Sequence, residues 1–362
     1  MKTSKSKTYF TVGPTQLFPE VEEYINSAIE TGICSIYHRS EEFMKIYESV
    51  YLSLKIMLNL PEGFKVFFLG SATECMDRII QNTVIGRSFH FVNGAFSERF
   101  YNTAIELNKD AQKISAEYGK GFSDSDIKIP DETELICFTQ NETSTGVQID
   151  SKKIHRVKEE NPGKLIAVDI VSSFPYVNLD FKLIDAAFFS VQKGLGLPAG
   201  LAVLIANDRC IEKARYIHDN GKGNIGSYHN FIKLNENAGK FQTTETPNTL
   251  GIFLLSKILE QITDSGIENI RNETEEKSNL LYQFFDDYEK ANPFVRNPED
   301  RSKTVIAVES DVKDMIVNKL DDEGYKVSNG YGKFKEKQFR IGNYPVHKID
   351  DVNNIIEIIK AL

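Results

Sequence analysis

One lysine, Lys193, stands between two apolar runs in FFSVQKGLGLPAGLAVLIAN (188–207). An amine at the end of a buried strand has two uses. Its stem can be covered while the ammonium reaches water, or the whole group can be desolvated and its pKa lowered, which readies it to form a Schiff base with a carbonyl. Lys193 by itself leaves both open. The neighbouring Gly194, Gly196 and Gly200 resemble a dinucleotide-binding loop, but that loop must open a helix. Here the strand-like LAVLIAN follows, so these glycines join two strands.

The company of the lysine narrows the chemistry. A pyridoxal phosphate centre needs a carboxylate for its pyridinium nitrogen, a flat ring platform and an anion site for its phosphate. Asp169 lies in the apolar KLIAVDIVSS; a carboxylate there must meet a cation or cap the strand end. In FFLGSATECMDRII, Ser71 and Glu74 have capping-box spacing, which predicts a helix whose free first-turn N–H groups could hold an anion. Phe96, after a strand and a glycine in FVNGAFSERF, could lie flat on a ring or simply fill the core. His38 and Arg39 precede a predicted helix, where they could grip an anionic substrate end or sit on the surface. Arg340, in the alternating apolar QFRIGNYP, needs a partner.

These residues need a scaffold. The chain has 362 residues, 41% hydrophobic and 26% charged, with a net charge of -9, which is ordinary globular composition and argues against a nucleic-acid partner. No run approaches the roughly 20 apolar residues of a membrane span, and the start MKTSKSKTYFTVGPT lacks the apolar core of a signal peptide. Cys34, Cys75, Cys137 and Cys210 show no metal-ligand spacing, so thiols in a reducing cytoplasm and no metal are expected. Strand-like runs at 65–70, 89–94, 134–140, 164–171, 186–192 and 201–207 are separated in part by helical patterns. They predict an α/β domain with a mostly parallel sheet covered by helices on both faces. After residue 250, two long helical patterns, TVIAVES, QFRIGNY and a last helix predict a smaller α+β domain. The expected division is 15–250 and 251–362, with residues 1–14 as an arm near the site.

The order GSAT, NGAF, NETSTGV, VDIVSS, SVQKG, TETPNT and FRIG, spread over nearly the whole chain, resembles the class V (fold type I) pyridoxal phosphate aminotransferases. The resemblance implies that Lys193 binds the cofactor aldehyde and carries the proton between substrate Cα and cofactor C4′, while Asp169 keeps the pyridinium protonated. It implies that Phe96 stacks on the ring and Thr143 bonds near its 3-hydroxyl. Ala72, Thr73 and Gln192 would hold the phosphate, which Thr246 would reach from the neighbouring subunit of a homodimer. Arg340 would bind the substrate α-carboxylate. The related cysteine desulfurases place a histidine before the lysine and a cysteine on a late loop, and neither is present here. SVQKGLGLPAGL and IGNYP are closer to the phosphoserine aminotransferases, and His38–Arg39, a pair the glyoxylate-using aminotransferases also carry, favours them mildly, which implies glutamate and 3-phosphohydroxypyruvate as substrates in serine biosynthesis. GYGKFKEKQFRIG is similar to the alanine–glyoxylate and serine–glyoxylate branch. A non-catalytic cofactor-binding protein is the reading of another class, and it leaves Lys193, Asp169 and Arg340 together without a purpose. Against the phosphoserine pattern, Glu74 stands for an arginine, Phe96 for a tryptophan, and Lys333, Lys335 and Lys337 are the cations where a His-Arg pair is usual.

Overall fold

The computed structural model describes residues 7–362. Seven strands form the central sheet, in the spatial order Lys65–Leu69, Ala202–Ala206, Ala186–Ser190, Leu165–Asp169, Thr133–Thr139, Arg87–Val92 and Asp110–Ser115. Six run in one direction, and Ala202–Ala206 alone is antiparallel to both of its neighbours. Every residue of Leu165–Asp169, Ala186–Ser190 and Ala202–Ala206 is buried. That is why these stretches read as unbroken apolar runs rather than alternating ones.

The six runs expected from the sequence are all strands. The seventh, Asp110–Ser115, is a half-exposed edge strand of mostly polar residues, DAQKIS, and carries no burial pattern to reveal it. The predicted helix start is present, but the reciprocal bond is displaced by one residue, since Glu74 reaches the N–H of Gly70 rather than that of the cap residue Ser71. Ser71 Oγ accepts from Glu74 N at 3.1 Å, Glu74 Oε2 accepts from Gly70 N at 2.9 Å, and helix Ala72–Thr83 follows with Cys75, Met76, Ile79 and Ile80 buried.

A second, five-stranded sheet has the order Thr8–Phe10, Tyr325–Asn329, Gln338–Gly342, Val305–Glu309 and Asn292–Pro293. The N-terminal strand pairs in parallel with Tyr325–Asn329, Thr8 opposite Tyr325. Residues 1–6 of the expected arm lie outside the described residues. Two apolar clusters fill the molecule. The larger covers the central sheet and includes Ile252, Leu255 and Ile262 of helix Thr249–Ser265. The smaller gathers Phe10, Leu281, Phe285, Ile306, Ile341 and Ile355. Helix Ile267–Asp287 belongs to both, packing Ile267 and Ile270 on the first cluster and Leu281 and Phe285 in the second. No helix among the described residues is long and apolar enough to cross a membrane.

Candidate active site

The parallel strands end along one line, and their carboxyl ends present the polar groups. Asp169 closes its strand and Ser190 the next, with Gln192 and Lys193 just beyond. Thr143 follows Thr133–Thr139 in a small hairpin formed by Asn141–Glu142 and Val147–Gln148. Ala72 and Thr73 occupy the first turn of their helix, Phe96 the first turn of Ala95–Glu106, and Arg340 reaches over from the second sheet. Eight of the eleven residues singled out in the sequence, Ala72, Thr73, Phe96, Thr143, Asp169, Gln192, Lys193 and Arg340, line one cavity of about 530 Å³.

Lys193 is 7% exposed, so its amine is desolvated and does not snorkel to water. Nζ donates to Thr143 Oγ1 at 2.9 Å and lies 5.2 Å from the Phe96 ring centroid. Burial lowers its pKa, and the opposing pull of Asp169 and Glu142 is smaller. Gly13, at φ +136°, packs against the lysine stem, where an added Cβ would stand 2.8 Å from Lys193 Cε. A side chain at that position would push the amine aside.

Asp169 is 4% exposed. Its carboxylate accepts one hydrogen bond, from Val171 N at 2.8 Å. Burial raises its pKa, and the Val171 N–H and the charge of Lys193 offset only part of that. A carboxylate so placed calls for a cation or a strong donor. A pyridinium N–H supplies both. Two more buried atoms on the cavity wall, Asn141 Oδ1 and Ser190 Oγ, lack a hydrogen-bond partner among the described residues. Beside them are the open N–H groups of a helix start, which suit a phosphate. The residues present therefore fit pyridoxal phosphate.

Glu142 was not foreseen from the sequence. It is fully buried, and its carboxylate accepts from Phe96 N at 3.1 Å, Ser97 N at 2.8 Å, Ser97 Oγ at 2.9 Å, Ser144 N at 3.1 Å and Ser144 Oγ at 2.6 Å. It thereby caps helix Ala95–Glu106 from outside and fixes the backbone that carries Phe96. The signal available was an acidic residue among small hydroxyls just past a buried strand. Gly94 leaves room for it, since a Cβ there would collide with Glu142 Cγ.

Arg340 is 7% exposed and has no carboxylate partner among the described residues. Nη1 donates to Thr143 O at 2.8 Å and Nε to Asn329 O at 3.0 Å. These bonds fix its plane, and the Tyr331 ring lies 5.6 Å from its Cζ. A buried guanidinium held at Nε and Nη1 by carbonyls keeps its Nη2 donors for a carboxylate. Tyr331, Arg99 and Asn102 also line the cavity and went unnoticed in the sequence.

Three of the residues singled out lie away from this cavity. His38 is buried, and Arg39 and Thr246 are exposed. Lys333 sits over the Tyr118 ring, 4.9 Å from its centroid, and neither it nor Lys335 or Lys337 lines the cavity.

Comparison with known proteins gives a consistent family. The model of the family described as aminotransferase class-V matches residues 9–333. A phosphoserine aminotransferase from Rhodococcus opacus is 27% identical over 360 residues, 97% of this chain and 93% of that protein. The crystal structure of a phosphoserine aminotransferase from Cytophaga hutchinsonii superposes with a TM-score of 0.96 at 42% identity, covering 98% of each chain. An aspartate aminotransferase from Thermus thermophilus, at 22% identity and a TM-score of 0.84 over 98% of each chain, shares the fold.

Proposed function

The chain belongs to the class V aminotransferases and is a pyridoxal-phosphate-dependent transaminase, and we propose that it transfers the amino group of glutamate to 3-phosphohydroxypyruvate, giving O-phosphoserine and 2-oxoglutarate. The observation that carries the chemistry is the pairing of a desolvated lysine with a buried, half-satisfied aspartate on one cavity wall. The similarity to phosphoserine aminotransferases, 42% identity over nearly the whole length of one of them, supports the substrate assignment.

When bound, the cofactor supplies an electron sink for the carbanion left at a substrate Cα. The roles of the protein groups follow from their surroundings. Asp169 holds the ring-nitrogen proton, because its buried carboxylate is stabilised only beside a positive N–H. Lys193 Nζ, low in pKa and tethered by Thr143 Oγ1, would carry the proton between the substrate Cα and the cofactor C4′. Thr143 also stands where a hydroxyl could donate to the ring 3-oxygen. Phe96 forms the platform, and Glu142 fixes its tilt. Ala72, Thr73 and Gln192 hold the phosphate with the helix start. Arg340 binds the α-carboxylate and sets which bond at Cα is broken.

We assign Thr246, His38 and Arg39 to the cavity of a second copy in a homodimer. Their positions outside their own chain's cavity support this. Arg39, with Arg99 on the cavity wall, would meet the substrate phosphate, since Lys333 and Lys335 do not line the cavity. We place the division between the two bodies within helix Ile267–Asp287, which packs in both apolar clusters, rather than at residue 250. Four cysteines outside any disulfide support a cytoplasmic location.

The test is a single half-reaction. O-phosphoserine, alanine and serine are added separately to the purified yellow protein, and the visible absorbance is followed. Rapid bleaching by O-phosphoserine alone is the expected result. Bleaching by alanine or serine instead would move the protein to the glyoxylate-using branch.

A further inference from the structure

Behind the phosphate end of the cavity lies a cluster that the chemistry above does not use. His229 is 3% exposed. Its Nδ1 lies 2.6 Å from Glu74 Oε1, and its Nε2 lies 2.9 Å from Glu245 Oε2, the second being an ion-pair contact off the line of a directed hydrogen bond. The residue adopts φ +48°, a region costly for a side-chain-bearing residue, and the Tyr228 ring stacks on it at 3.8 Å. Glu74 is the residue whose other oxygen, Oε2, closes the turn at Gly70 before the Ala72–Thr73 helix start. Glu245 lies in the loop TTETPNT, between the Thr243 and Thr244 hydroxyls that bond to it and Thr246.

A neutral imidazole has one N–H and one lone pair. With a carboxylate at each nitrogen, the neutral ring would turn its lone pair on one of two anions. The doubly protonated ring satisfies both. Burial by itself would lower the pKa of His229, but the two carboxylates outweigh it and raise the value to about 9. Burial likewise works against ionised Glu74 and Glu245, and the charge contacts with His229, together with the hydrogen bonds of Gly70 N and Thr244 Oγ1 respectively, hold both below the usual range. The other titratable groups nearby face the carboxylates: Arg78, itself paired with Asp77, and the Cys75 thiol face Glu74, His38 and the neutral Tyr47 face Glu245, and the Tyr228 hydroxyl faces both.

We propose that His229 is a positioning residue for the cofactor phosphate site, clamping the TTETPNT loop to the turn that opens helix Ala72–Thr83. The clamp rests on the assignment above that Ala72 and Thr73 hold the phosphate. Its single positive charge is shared between two carboxylates and reduces, by one, the negative charge that would otherwise repel a phosphate dianion. Because the folded pKa is raised, the clamp is complete below the ordinary histidine value near 6.5 and is lost as pH rises through about 9.

The test compares retention of pyridoxal phosphate and of pyridoxal, which lacks the phosphate, by holoenzymes of the wild type and of His229→Gln. Retention is read from the visible absorbance over pH 7 to 10.5. At pH 7.5 His229→Gln should hold pyridoxal phosphate about tenfold less tightly and pyridoxal equally well, and it should lack the alkaline decline of the wild type. Glu245→Gln, the milder change should the histidine variant not fold, should move that decline to lower pH. Equal weakening for both ligands, or wild-type and variant curves that run parallel with pH, would overturn the clamp. Thr246→Val reads the cross-subunit contact separately: if it alone leaves affinity intact, that assignment fails and the clamp stands.

Discussion

The central sheet buries a lysine and an aspartate at each of its two ends, and the two pairs are built differently. At the amino end of strand Ala186–Ser190, Asp185 is enclosed by Lys158 Nζ at 2.7 Å, Arg209 Nη1 at 2.8 Å, Asn207 Nδ2 at 3.0 Å and Ile166 N at 2.8 Å. Lys158 is completed by Lys164 O. At the carboxyl end, Lys193 has one hydroxyl and Asp169 one backbone N–H. The lysines are 6% and 7% exposed, so burial is matched. What differs is completeness. A closed cluster spends its hydrogen bonds on the protein itself, whereas an open one keeps a desolvated amine and carboxylate for something else. In a parallel sheet the open set belongs at the carboxyl ends, where strands give way to loops and helix starts.

The comparison breaks most easily at the lysines. Lys193→Ala should cut turnover by roughly 10³-fold or more, the scale of a lost acid–base group, with little change in thermal midpoint. Lys158→Ala should keep turnover per folded molecule and lower the midpoint. Steady-state rates and melting curves on both variants decide it, and reversed effects would sink the contrast.

The aspartates sharpen it. Removing Asp185 strands two cations and should cost about 3–5 kcal/mol by denaturant titration. Asp169→Asn should fold normally and keep part of its cofactor affinity, while Cα deprotonation slows by about 10²-fold. Unchanged turnover would refute the role given to Asp169. The smallest effect concerns a residue outside the cavity: Arg39→Ala should weaken use of a phosphorylated substrate about tenfold more than use of alanine. An equal loss on both would count against a phosphate contact.

Much of this arrangement was legible in the residue order. Unbroken apolar runs announced the buried strands, and Ser71 with Glu74 announced a helix start. The polar edge strand Asp110–Ser115 escaped because neither face is well buried. Lys193, Asp169 and Arg340 stood out as charges in apolar surroundings. Glu142 did not, because its meaning lies in five donors drawn from two segments some 45 positions apart. His229 was hidden for the same reason: its carboxylates come from 155 positions before it and from the following loop. Single residues betray themselves by context, but networks require the fold.

The pairing of Thr8–Phe10 with Tyr325–Val327 has a consequence for biosynthesis. The two strands lie more than 300 positions apart, so the edge of the smaller sheet can form only after residue 327 has been made. Between its two ends the chain threads past the amine, with Val12 and Gly13 on the cavity wall and Thr15 N bonded to Gln192 O at 3.0 Å. The buried lysine therefore lacks the anchored form of this wall until residue 327 has been made, and a chain cut short before it would hold the central sheet with an unenclosed cavity.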